Sequence, residues 1–499
     1  MTVHVELRRG AYHDSVSLMQ VSRTVAGAHG VEAAQVAMAT ELNLDVLRGM
    51  GFDVPDGAGP NDLVVALRTR DEAAVATGIA AVDDALAALS APAAAGDGTD
   101  DDVPPATLGS AVRRAGAGLA LVSVPGAHAV TETYDAIAAG ASVMLFSDNV
   151  SVEDEVALKD AAAAADVIVM GPDCGTALVG GVALGFANVV SAGPVGIVAA
   201  SGTGAQQAMC LLDAAGVGVS HCLGVGGRDL SSAVGGRSTR QALRALADDA
   251  STEWVLLVSK PPDATVLDDL RREADALGLR VHQATLGDGR PDLTAAVEQA
   301  LTAEGVEPPQ WPATPAAPEP DELTRGQALR GLFCGGTLAE EAALLAAATL
   351  GPVRSNLGHD PATALGSDLR SDGHLVVDFG ADELTRGRAH PMIDPTLRTE
   401  RIAVEAADPA CGVLLLDLVL GHGSHPDPAG ELADAVRSAR ETAHVDGRAL
   451  PVVVSLTGTD ADPQHFTRCA EALAAAGASV FLSNAAAARH AVDLLGGPR

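Results

Sequence analysis

From residue 117 the chain repeats one pattern: a short, nearly continuous apolar run, a loop, then a helical stretch. GLALVSVP precedes HAVTETYDAIAAG, SVMLFSD precedes SVEDEVALKDAAAAA, and DVIVMGP closes the series. Strands that are apolar throughout need cover on both faces, so the pattern predicts a parallel sheet between layers of helices. In such sheets ligands gather at the carboxyl ends of the strands, and each of these strands ends in a cluster of Gly, Pro, Asp or Asn.

A chain of 499 residues exceeds one core, and roughly three or four domains are expected. Aromatic residues make up 2%, so the cores must be Ala, Val and Leu packed in layers. Two Pro/Ala/Asp-rich stretches, 91–106 and 303–324, cannot bury enough apolar area to order themselves and read as linkers. They leave an N-terminal α/β domain at 1–90, a Rossmann-like layer of the CoA-binding type at 107–190, a first flavodoxin-like module at 191–302 and a second at 325–499. In the first unit HVELR, VEAAQVAM and DLVVALRT read as strands, with helices beginning near Asp14, Thr40 and Asp71 and with Asp71 placed to cap.

The formal charge of −33 argues against nucleic acid, whose phosphates need clustered Lys and Arg. No uninterrupted apolar run reaches membrane-spanning length, and Glu6, Arg8 and Arg9 stand where a signal peptide would be apolar, so a cytoplasmic protein without a membrane partner is expected. The six cysteines are scattered, with neither a disulfide framework nor a zinc spacing. Only two lysines occur, Lys159 and Lys260, and each therefore merits inspection.

One module occurs twice. SGTGAQQAMCLLDAAGVGVSHCLG, from Ser201, matches CGGTLAEEAALLAAATLGPVRSNLG, from Cys334, in turn chemistry, helix length and exit, and an apolar strand precedes each. A glycine-rich turn opening a helix presents unpaired N–H groups and the positive end of the helix dipole. Ser201, Gly202, Thr203 and Gly204, and again Gly335, Gly336 and Thr337, therefore suit phosphate or carboxylate, although one such turn alone reads equally as an ordinary cap.

VPGAHAVTETYDAIAAGASVMLFSDNVSVEDEVALK, MGPDCGTA, GPVGIVAASGTG and GVGGRDL resemble the α-subunit layout of succinyl-CoA synthetase and other NDP-forming acyl-CoA synthetases. GAYHDSVSLMQVS, VAMATELNLDVL and HPMIDPTLR resemble the FdrA family, a branch of that superfamily, along almost the whole chain. The chain departs from the synthetases in two places. TVHVELRRGAYHDSVSL lacks the glycines of a CoA loop, which puts CoA binding in doubt, and residues 255–300 offer only His282 where the synthetases carry a phosphorylated histidine. The FdrA resemblance implies one subunit of an oxamate carbamoyltransferase of allantoin breakdown, working with two partner proteins and converting oxalurate and phosphate into oxamate and carbamoyl phosphate. The alternatives are an NDP-forming acyl-CoA synthetase subunit and a non-catalytic scaffold or regulatory subunit. Phosphate is thus expected as a substrate, and no cofactor is certain.

Lys260, at the end of the strand in LLVSKPPD, is placed to stabilise a transferring oxyanion, or else is a solvated turn lysine. His422 and His425 in GHGSHPD follow the equivalent strand of the second module and can serve as acid or base; a metal site is the weaker reading because no third ligand stands at a diagnostic interval. His390, Asp394 and Arg398 in AHPMIDPTLR form a stiff polar loop in which Arg398 can grip a carboxylate, the bland reading being an interdomain salt bridge. Asp173 and Cys174, with Ser147, Asp148 and Asn149, are placed at strand ends on one rim, Asp173 and Asn149 as binding residues and Cys174 as packing.

Overall fold

In a computed structural model, residues 2–11, 13, 15–55, 57–59, 61–90, 104–316, 326–358, 361–385 and 389–496 are described. Asp14, residues 91–103 of the first linker and residues 317–324 of the second lie outside them. The N-terminal unit comprises β1 (Thr2–Arg8), α1 (Ser15–Ala26), β2 (Val31–Met38), α2 (Glu41–Gly49), β3 (Leu63–Thr69) and α3 (Glu72–Ser90). Its strands pair antiparallel in the order β1-β3-β2. Alternation along β3 sends Leu63, Val65 and Leu67 towards α1 and α3, and Val64 and Ala66 towards α2. Thr40 and Asp71 accept backbone N–H groups of Asn43 and Ala74 and so begin α2 and α3.

The parallel layer follows as α4 (Leu108–Ala115), β4 (Leu119–Val122), α5 (Gly126–Ala138), β5 (Ser142–Leu145), α6 (Val152–Ala164) and β6 (Val169–Met170), with strand order β4-β5-β6. Next comes a hairpin, β7 (Thr176–Val179) and β8 (Val182–Gly185), turning on Gly180 and Gly181 at φ 55° and 80°. These two strands fall in the 107–190 stretch that sequence assigns to the Rossmann-like layer. They join the next sheet instead, where β7 pairs antiparallel with β10. A Gly-Gly pair between apolar runs is a hairpin signal that the strand-helix alternation masks.

The first module runs β9 (Ala192–Ala200), α7 (Gly202–Ala214), β10 (Val219–Gly224), α8 (Arg237–Asp248), β11 (Trp254–Ser259), α9 (Ala264–Leu277), β12 (Val281–Thr285) and α10 (Leu293–Ala303), in the sheet β12-β11-β9-β10-β7-β8. A short strand, β13 (Ala313–Thr314), then pairs antiparallel with β19 at the edge of the second sheet, so part of the expected linker is ordered. The second module contains β14 (Ala328–Phe333), α11 (Gly336–Leu350), β15 (Val353–Ser355), β16 (His374–Asp378), α12 (Asp382–Thr385), α13 (Thr396–Ala407) and β17 (Cys411–Val419). It ends with α14 (Pro428–Val445), β18 (Val452–Thr457), α15 (Phe466–Ala475), β19 (Ala478–Phe481) and α16 (Asn484–Leu494), in the order β13-β19-β18-β17-β14-β16-β15.

The duplication is visible in topology: β10-β9-β11-β12 and β16-β14-β17-β18 are the same arrangement. The exit strand of the second copy differs from the sequence match. β16, not β15, occupies the place of β10, and β15 is an added edge strand. One apolar core runs through both modules, combining Met209, Leu211 and Leu301 of the first with Leu338, Ala342 and Ala488 of the second. All nine residues of β17 are buried, as a strand covered on both faces requires. Among the described residues no helix is long and apolar enough to cross a membrane.

Candidate active site

In each module the chain leaves the central strand and its neighbour in opposite directions, which opens a crevice at their carboxyl ends. In the first module those ends carry Ser201, after β9, and Lys260, after β11. The two modules meet there. Ser201 Oγ lies 2.6 Å from Thr337 Oγ1, and a Cβ on Gly335 would stand 2.9 Å from Thr203. The N-termini of α7 and α11 therefore converge on one cavity of about 470 Å³, closed by residues of the parallel layer and by Met19 of α1.

The two turns are not equivalent. At α7, Ser201 caps its own helix by accepting the Gly204 N–H at 3.0 Å, while Gly202 and Thr203 line the cavity. At α11, the carboxylate of Asp417 accepts the Cys334 and Gly335 N–H groups at 2.7 and 2.8 Å from beneath. Arg398 Nη1 in turn donates to Asp417 Oδ1 at 2.7 Å. The carboxylate that Arg398 was expected to take from a substrate is thus supplied by the protein, and both residues are buried. Above α11, Asp378 Oδ2 lies 2.6 Å from the place a Gly336 Cβ would take, so the second turn already faces an internal anion. Gly336 and Thr337 still line the cavity.

Lys260 also lines the cavity, its Nζ 3.3 Å from that same Cβ position, and among the described residues it has no hydrogen-bond or ion-pair partner. Lys159 is its opposite: fully buried, it donates to Glu155 at 2.7 Å, Asp229 at 2.8 Å and the Val225 carbonyl at 2.9 Å. It ties the parallel layer to the loop of Gly226 and Gly227, which forms part of the cavity wall.

Four carboxyl groups share the cavity with Lys260: Asp148, Asp173, Asp378 and Asp382. Burial raises the Asp378 carboxyl to about 7 against the pull of Lys260 and of the Gly380 N–H. Depth within the cleft, then the Asp382 and Asp148 carboxylates, raise Asp173 to about 7 as well; its side chain is open to cavity water and so is better screened than that of Asp378. His390 accepts the Met392 N–H at Nδ1 and packs on Phe186, with ring centroids 5.7 Å apart. Burial, reinforced by Arg398, lowers its pKa to about 4, so the ring is neutral with its proton on Nε2, which faces Gly380. The Cys174 thiol lines the cavity but burial pushes it up to about 12, which leaves it a packing group.

The remaining candidates lie elsewhere. His422 is exposed beside Ala187, and His425 is buried next to Arg398 with Nε2 3.2 Å from Glu431. Neither lines the cavity, because the loop after β17 turns away from the α7–α11 junction. Asp394 is exposed and accepts the Thr396 N–H and hydroxyl, which starts α13. Asn149 occupies an exposed left-handed turn at φ 54° outside the cavity. Sequence reasoning missed Asp378, although VVDFG is one more strand end with a polar-glycine cluster.

A family model described as "AllF, heavy metal-associated domain" matches residues 1–103, and one described as "CoA-ligase" matches residues 332–494. The uncharacterized protein YahF of Escherichia coli (strain K12) is 36% identical over 501 residues, spanning 96% of this chain and 95% of its own. Among solved structures, a dinucleotide-forming acetyl-coenzyme A synthetase of Ca. Korarchaeum cryptofilum, in complex with phosphate and ADP, spans 76% of this chain and 84% of its own at 15% identity, with a TM-score of 0.27. ATP citrate lyase from Methanothrix soehngenii, in complex with citrate and coenzyme A, spans 42% and 43% at 16% identity, with a TM-score of 0.28.

Proposed function

The chain belongs to the family of Escherichia coli YahF and carries an AllF-type N-terminal domain and a CoA-ligase module, and from that premise we propose that it is the cavity-bearing subunit of a ligase-type enzyme that passes an acyl group to or from phosphate. The observation that supports this most is the convergence of the α7 turn, the α11 turn and Lys260 on one cavity. Gly202, Thr203 and Lys260 hold the phosphate; Thr337 and the neutral His390 present hydrogen-bond donors to the acyl oxygen as charge develops on it.

Within that class, carbamoyl transfer of the oxamate carbamoyltransferase type is favoured by the carboxyl-rich wall. A carbamoyl group carries N–H donors that Asp173 and Asp378 can accept, whereas a plain acyl chain leaves those acceptors unmet. Two further subunits, as the FdrA resemblance implies, belong to this proposal.

The groups suggested by the names of the matching families fit poorly. Residues 1–103 contain no cysteine, and among the described residues no set of three His, Cys, Asp or Glu side chains can hold a metal ion. The strand-to-helix turn of the parallel layer has the single glycine Gly126, and the Asp148 and Asn149 carbonyls fill the space beside it, at 2.4 and 2.6 Å from a Cβ position. It is no cradle for the pyrophosphate of CoA.

Calorimetry of the full-length chain with inorganic phosphate tests the reading. Binding that Lys260→Met weakens by about 10- to 100-fold, the range of a lost charge-assisted bond, supports it. Binding of CoA together with acid-labile phosphate on a histidine would replace it with the acyl-CoA synthetase reading. Unchanged turnover of the intact complex in the Lys260 variant would favour a scaffold.

A further inference from the structure

Resting on that reading, we propose that Asp378 is the acid–base group of the cavity, taking the proton of the attacking hydrogen phosphate and returning it to the nitrogen that leaves. Asp378 ends β16, and its main chain is locked from both sides by Asn356: Asn356 Nδ2 donates to the Asp378 carbonyl and the Asp378 N–H donates to Asn356 Oδ1, each at 2.8 Å. Its side chain is held the same way. Oδ1 accepts the Gly380 N–H at 2.8 Å, which leaves Oδ2 aimed across the N-terminus of α11. Such a carboxyl is fixed in place, only 6% exposed, and lines the cavity.

The charges around it suit proton transfer. Lys260 faces it from the loop after β11, Asp382 from α12 and Asp417 from β17, the last held by Arg398. His390, neutral, faces Gly380 from the loop before α13. Burial against these neighbours brings the carboxyl to about 7, where both of its forms are populated at neutral pH, as a group that must accept and then release a proton requires.

The step balances. An oxygen of hydrogen phosphate forms a bond to the carbamoyl carbon as its own proton passes to Asp378. The C–N bond then breaks, and Asp378 protonates the departing amide nitrogen. Charge and protons are conserved without an oxidant, reductant or metal. In the reverse direction Asp378 accepts a proton from the attacking amide, so the ionised carboxylate is the active form both ways.

The chain is purified at full length with the partners that remain bound to it and assayed with carbamoyl phosphate and oxamate against pH. This direction is used because inorganic phosphate itself titrates near neutrality. Turnover of the unsubstituted protein is expected to rise with pH through about 7. Asp378→Asn is expected to lose that limb and about 100-fold or more in kcat, whereas Asp173→Asn keeps the limb. A limb retained in Asp378→Asn overturns the inference and leaves the cavity reading standing. If the unsubstituted protein shows no turnover, the cavity reading is what fails, and phosphate calorimetry in two buffers of different ionisation enthalpy decides Asp378. Proton uptake in the unsubstituted protein that vanishes in Asp378→Asn supports it, and equal uptake overturns it. Should the variant not fold, infrared difference spectra of the unsubstituted protein supply the answer: a protonated carboxyl band gained on phosphate binding supports the inference, and its absence overturns it.

Discussion

Lys159 and Lys260 show how differently one side chain is used at two depths. Lys159 is saturated by Glu155, Asp229 and a carbonyl, all away from water, so Lys159→Met leaves the buried Asp229 carboxylate without its cation and Glu155 with Arg228 alone. Breaking such a pair costs about 3–5 kcal/mol, and chemical denaturation of the variant should show a loss of that size. Glu341 illustrates the converse. It accepts the Leu293 N–H at 2.6 Å and an Asn484 Nδ2–H at 2.7 Å, yet burial raises its carboxyl from 4.5 to about 7. Between those values the folded state holds a proton that the unfolded chain has released, so this group's contribution to stability falls as pH rises from about 4.5 to 7 and is level above. Glu341→Gln removes that slope. Melting curves from pH 5 to 8 should show the unsubstituted protein losing on the order of 2–3 kcal/mol more than the variant across that window.

At the level of the elements, the two glycine turns can be separated by substitution. A Cβ on Gly204 would lie 2.4 Å from Ser201 Oγ and would break the cap of α7, whereas one on Gly336 would lie 2.6 Å from Asp378 Oδ2 and press on the cavity wall. Gly204→Ala should therefore cost about 1 kcal/mol of stability in thermal unfolding. Gly336→Ala should melt near the unsubstituted protein but bind phosphate about 10-fold more weakly in calorimetry, because it displaces a cavity carboxyl rather than a cap. These turns were legible in the sequence, because a Ser or Gly before a helix has a local meaning. So was Lys260, a lone lysine at a strand end. Asp378 was not, since the direction in which a strand-end aspartate faces depends on where β16 lies in the sheet, and β15 intervenes between it and α11 in sequence. Nor was the Arg398–Asp417 pair, whose members stand on α13 and β17 and are joined only by tertiary packing. His422 and His425 were read through the repeat, but the loop after β17 is longer and more constrained than its counterpart after β11. His422 is drawn to Ala187, and His425 to Glu431, away from the junction.

At the scale of the whole molecule, duplication has left two modules that are separate as sheets but continuous as a core. The helices α7 and α10 of the first pack against α11 and α16 of the second, and the apolar cluster they share includes Met209, Val297, Leu338 and Ala491. Polar bonds cross the same junction. Gln207 donates to the Leu482 carbonyl at 3.0 Å, Thr294 Oγ1 lies 2.7 Å from Ser483 Oγ, and Asn188 Nδ2 donates to Asp462 at 2.8 Å. A second module made alone as residues 326–499 would expose the faces of α11 and α16 and strand Asp462 without the Asn188 partner. Burying those apolar faces is worth about 25 cal/mol for each Å², and no other surface of the module replaces it. The fragment alone should thus aggregate or melt without cooperativity. Because the cut falls between Thr314, the end of β13, and Ala328, the start of β14, co-expression with residues 1–316 should restore a 1:1 complex that elutes and melts as the intact chain does. Size-exclusion chromatography with calorimetric melting reads both outcomes. A 326–499 fragment that is monomeric and melts cooperatively by itself would show that the shared core is dispensable, and with it the premise that the cavity needs both modules to form.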